Sequence, residues 1–159
     1  MAIAALGRTD LIGEIQRRVE YEDQHDVRGY YQCALLMLGA DSELENVLQL
    51  AQFAVFNRLA AWEALLASGR TEPLEILFGG NSYTIAQVDE ILHDHLFIEV
   101  INAQVPQLPP LDWNATPKQR YRQIELMKLW YRLSKRWLEF DAENSVFTVN
   151  RKDMQAPPG

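Results

Sequence analysis

Cysteine is almost absent. Cys33 is the only one in 159 residues, which excludes an internal disulfide framework and any C-x-x-C redox or zinc motif; a reducing compartment such as the cytoplasm fits. No basic residue precedes the short apolar start, Met1 to Leu6, so it lacks the layout of a secretory signal. The longest apolar tract, residues 46–67, is not continuous. Asn46, Gln49, Gln52, Asn57, Arg58 and Glu63 interrupt it, so it reads as a core helix and not as a membrane span. Repeats of fixed period, Gly/Ser tracts and the G-x-S-x-G nucleophile turn are all missing, and Gly79 with Gly80 are too few for a phosphate cradle. These absences give the expectation of a protein that is not an enzyme and that needs no cofactor, no metal and no membrane.

Apolar residues make up 48% of the chain and charged residues 23%, a composition that supports an ordinary folded core. Residues 1–152 are expected to form a single helical domain and residues 153–159 a tail. The periodicity predicts an all-α fold: a compact bundle of about five helices around a central hydrophobic helix, with a Pro-rich crossover and a short β-hairpin or extended C-terminal arm.

Thr9 or Asp10 caps a first helix to about Asp23, with one narrow apolar face at Leu11, Ile15 and Val19. A second runs from Asp26 to Leu38 and stops at Gly39. Ser42 and Glu45, spaced as a capping box, open a third that continues to about Ser68; apolar nearly all round, it is expected to be the centre of the fold. Residues 71–82 suit a short helix between Thr71 and Gly79, although Leu74, Ile76 and Phe78 also alternate as in a strand. Thr84 and Gln87 begin a fourth long helix, to about Ala103. Pro106, Pro109 and Pro110 then make an extended strap that pins Trp113. Thr116, Pro117 and Gln119 start a fifth helix, expected to reach about Phe140.

Charge is unevenly placed within the net −7. Residues 1–80 carry 6 basic and 12 acidic side chains, residues 81–115 carry 0 and 5, and residues 116–159 carry 9 and 5. Much of the basic excess lies on the fifth helix, where Lys128, Arg132, Lys135 and Arg136 occupy the sector left free by an apolar arc of about 220°, with Lys118 upstream. These five are the candidate partner-binding residues, suited to an acidic protein surface or to phosphates.

His93, Asp94 and His95 suggest a metal site, but on a helix the two histidines point about 200° apart, which excludes a shared ion. Pairs such as His93 with Asp89 and His95 with Glu99 are ordinary helix-surface contacts. Pro106 to Pro109 is formally a P-x-x-P, a spacing common by chance. A helix-turn-helix reading of residues 84–96 fails because its outward residues are mostly negative. What remains is a non-catalytic structural or adaptor subunit working through protein–protein contacts, as a homo- or hetero-oligomer in a larger assembly such as a phage particle. Two alternatives stay open: a nucleic-acid-associated factor using the basic face, and an acidic inhibitor using Glu20, Glu22, Asp23 and Asp26.

Overall fold

A computed structural model describes residues 8–53, 57–79 and 95–150. Among these residues the chain is mostly helical, with seven α-helices and one two-stranded antiparallel sheet. It divides into two compact units, residues 1–70 and 71–159. The expected start of the fourth helix at Thr84, the turn at Gly80 and Asn81, the His93 and Asp94 pair and the tail from 153 lie outside the described residues.

The first unit contains α1 (Ile12–Tyr21), α2 (His25–Met37), α3 (Leu44–Phe53) and α4 (Arg58–Ala67). Ile15 of α1 is buried against Leu35 of α2 and Leu38 just beyond its end, with Leu11 and Val19 beside it, as the narrow apolar stripe implied. The expected cap at Thr9 or Asp10 is not formed. A 3-10 turn, Thr9–Leu11, precedes α1, and the Asp10 carboxylate is taken by the Arg8 guanidinium at 2.7 Å. Ser42 likewise sits inside a 3-10 turn, Asp41–Glu43, and not at a helix cap. The two helix stops are as read. Gly39 (φ 91°) and Gly69 (φ 76°) adopt the left-handed conformation, and each closes a Schellman motif. Ala40 N–H donates to Leu35 O and Gly39 N–H to Leu36 O, while Arg70 N–H donates to Leu65 O and Gly69 N–H to Leu66 O.

The single long third helix is the main correction. The chain forms two helices there, α3 and α4, which pack on each other. Trp62 Nε1 donates to the Ala51 carbonyl at 3.2 Å, whereas a continuous helix would separate these residues by about 16 Å along its axis. Asn57 stands immediately before α4 in a non-helical conformation and is 1% exposed. Its side chain does not cap α4; Nδ2 crosses to the Asp26 carbonyl of α2 at 2.8 Å, an alternative partner of the kind that makes Asn a poor helix-interior residue. Asn57 reaches that far because α2 has glycine opposite. A Cβ at Gly29 would lie 2.2 Å from Asn57 Nδ2 and 3.3 Å from Leu50 Cδ1. The most connected helix of this unit is consequently α2, which packs on α1, α3 and α4 and buries Cys33, Leu35 and Leu36.

The second unit contains α5 (Glu72–Phe78), α6 (His95–Gln104), α7 (Pro117–Ser134), β1 (Leu138–Asp141) and β2 (Val146–Val149). The helical reading of residues 72–78 holds, with Pro73 near its start. The proline segment is less extended than expected. Leu108 N–H donates to Val105 O in a turn, and Val105, Leu108 and Leu111 are buried. The Trp113 ring lies against the His95 ring in a tilted arrangement, with centroids 5.0 Å apart. Helix α7 starts at the expected place, with Thr116 N–H donating to Gln119 Oε1 at 2.9 Å.

Helix α7 ends earlier than expected. After Ser134 a 3-10 turn, Lys135–Trp137, leads into β1, and Leu138 pairs with Val149 and Phe140 with Phe147. The Phe140 and Phe147 rings are 5.1 Å apart, a cross-strand aromatic pair that favours the hairpin over a further helical turn. Asp141 Oδ1 accepts from the Glu143 and Asn144 amides and closes the loop.

A double-mutant cycle tests the Asn57 seat. Gly29→Ala should destabilise the chain by about 1–3 kcal/mol, because the new methyl displaces the Asn57 amide and overcomes the roughly 1 kcal/mol gained in helix propensity. In an Asn57→Ala background the same change should be neutral or stabilising in urea melts. Gly13→Ala, where an added Cβ meets nothing within 4 Å, should stabilise α1 in either background.

Candidate functional site

Among the described residues, the buried side chains of helix α7 lie along one side. Ile124, Met127, Tyr131 and Ser134 are buried, and Tyr131 packs on Phe78 of α5 with ring centroids 5.8 Å apart. Burial, followed by the influence of the nearby Glu75 carboxylate, pushes the Tyr131 phenol well above its ordinary pKa. Glu75 also receives Lys135 Nζ at 3.1 Å. A tyrosine, a carboxylate and an ammonium thus tie α5 to the end of α7.

The opposite side of α7 holds leucines. Leu126 is 55% exposed, Leu129 45% and Leu133 59%. At 100° per residue they project within about 60° of one another, turned away from Met127 and Tyr131. Lys118, Arg122 and Arg132 lie within about 60° of Leu129 on the same outward face, all exposed. Among the described residues no ion pair engages these three.

The five sequence-predicted residues therefore separate. Lys118 and Arg132 remain on the outward face. Lys128 is half-buried and pairs with Glu125 at 2.9 Å. Lys135 and Arg136 lie beyond the helix in the 3-10 turn, Lys135 held by Glu75 and Arg136 with its guanidinium 3.9 Å from the Trp137 ring centroid. Sequence reasoning missed Arg122 and the outward orientation of the three leucines. The spacing 126, 129, 133 and the excess of apolar residues over what one contact side can cover were the available signals.

Other candidate chemistry is quiet. Cys33 is fully buried, and burial, then the Glu63 carboxylate, pushes its thiol up to about 12, opposite to what a nucleophilic cysteine needs. His95 Nδ1 sits 3.0 Å from Glu99 Oε1 on the surface of α6, the helix pair that the spacing implied. No group of three His, Cys, Asp or Glu side chains among the described residues is arranged to hold a metal. No described helix is long and apolar enough to cross a membrane. A half-open groove of about 360 Å³ lies between α1 and α2, lined by Leu11, Glu14, Ile15, Arg18, Tyr31 and Ala34. Its two charged residues, Glu14 and Arg18, pair with each other at 3.3 Å.

The sealed thiol sets an alkaline limit on stability. The unfolded chain releases the Cys33 proton near pH 9, while the native chain keeps it to about 12. Stability from this group is therefore full below pH 9 and falls by about 1.4 kcal/mol per pH unit above it. Tyr131, shifted in the same direction, adds to the loss above about pH 10. Urea melts from pH 8 to 11 should show this decline, Cys33→Ala should remove its first part, and a thiol reagent should label the chain only after denaturation.

The chain matches no protein family, no curated protein and no solved structure.

Proposed function

We propose that the protein is a non-catalytic helical subunit that acts through protein–protein contacts in a larger assembly, with the outward face of α7 as its contact surface. The carrying observation is the exposed set Leu126, Leu129 and Leu133 beside Lys118, Arg122 and Arg132. Three leucines in water on one helix face cost hydration free energy that a protein partner would recover, at roughly 25 cal/mol per Å² of apolar surface covered. The positive groups around them add orientation and rate more than affinity. Placement of that assembly in the cytoplasm, or in a virion built there, belongs to the same proposal and draws on the single reduced-type cysteine.

One observation favours a second reading. Tyr121 is 63% exposed on α7, and an aromatic ring near Lys118 and Arg122 resembles a stacking platform for single-stranded nucleic acid. The leucines argue for protein, since a phosphate backbone gains nothing from them.

Two measurements separate the readings. Hydroxyl-radical footprinting of the chain alone and in its native assembly should show Leu126, Leu129 and Leu133 protected several-fold in the assembly; equal labelling in both sinks the protein-contact reading. A short labelled single strand should show no binding that disappears between about 50 and 200 mM salt. Binding with such a salt slope, lost in Tyr121→Ala, would favour nucleic acid instead.

A further inference from the structure

We propose that the partner held by the outward face of α7 is an acidic amphipathic helix, of another protein, that packs lengthwise along Leu126, Leu129 and Leu133. The inference rests on the reading of α7 as a protein-contact face and adds the chemistry of what it contacts.

Three observations point there. Spacings of three and four residues between the leucines, with Arg122 four residues before Leu126, are those of a coiled-coil seam, which a second helix meets at a shallow crossing angle. The leucines cover about 10 Å of the helix axis, and with Lys118 and Arg122 upstream the outward ridge runs about 22 Å, the length of a helix of about fifteen residues. The third observation is charge. Helix α7 carries Lys118, Arg120, Arg122, Lys128 and Arg132 against one carboxylate, Glu125, and that carboxylate is already taken by Lys128 at 2.9 Å.

The same charge count selects among occupants. A second α7 laid along the first would set Arg122 and Arg132 against like charges, with no unpaired carboxylate on either helix to offset them. A helix with leucine or isoleucine on one face and Asp or Glu along its borders satisfies both features of the ridge. The apolar side chains cover Leu126, Leu129 and Leu133, and the carboxylates meet Lys118, Arg122 and Arg132.

The test uses the full chain and two synthetic helical peptides with identical leucines at the a and d positions of their heptads, one bordered by glutamates and the other by lysines. Fluorescence anisotropy should show the glutamate peptide binding at least tenfold more tightly, with affinity falling as salt rises. Arg122→Glu with Arg132→Glu should reverse the preference. Leu129→Ser with Leu133→Ser should abolish binding of both peptides; these residues are exposed, and circular dichroism should show helix content unchanged.

Equal affinity for the two peptides, with binding still lost in the leucine variant, would overturn the acidic partner while leaving α7 as a contact face. Binding indifferent to the leucine and arginine changes would remove both ideas. Concentration-dependent self-association of the chain alone, abolished by the arginine reversals, would assign the face to a second copy and overturn the proposal.

Discussion

The fold of the first unit depends on one close approach: the side chain of Asn57 seated against the α2 backbone where Gly29 leaves room. The tract from Leu44 to Leu66 is apolar enough to continue as one helix, and helix extension is locally favourable. What opposes it is the hydrogen bond from Asn57 to the Asp26 carbonyl, reachable only because α2 lacks a side chain at that point. The seat is imperfect. Asn57 Oδ1 is buried without a partner among the described residues, a penalty of about 1–3 kcal/mol. Packing of α3 and α4 against each other and against α2, with Trp62, Leu65 and Leu66 buried, offsets it.

Features with a purely local cause were legible in the sequence. Gly39 and Gly69 end helices because a left-handed residue closes the Schellman bonds, and a glycine after an apolar run announces that. Thr116, Pro117 and Gln119 start α7 for similar reasons. The hairpin was visible only as an extended end. Leu138 and Phe140 fit a helical register and a strand register equally well, and the choice is made across the chain by Phe147 and Val149. The break at Asn57 was hidden because its partner, Asp26, lies far away in sequence.

The candidate site was half legible for a related reason. Periodicity reveals that α7 has more apolar residues than one contact side needs, yet it cannot say which of them a neighbour covers. Helix α5 is short, seven residues, and reaches α7 through Phe78 and Glu75. Lys135 was read as a free charge because its carboxylate, Glu75, sits sixty residues earlier. Lys118 and Arg132 form no ion pair within the described part of the chain.

Gln107 carries one last implication. Its Oε1 accepts the Val149 amide at 2.9 Å, so a donor on the outer rim of the two-stranded sheet is already occupied. A bare rim is a template on which stray extended peptides add and polymerise. By stoppering it with a residue from the proline segment, the chain discourages growth by strand addition at that position.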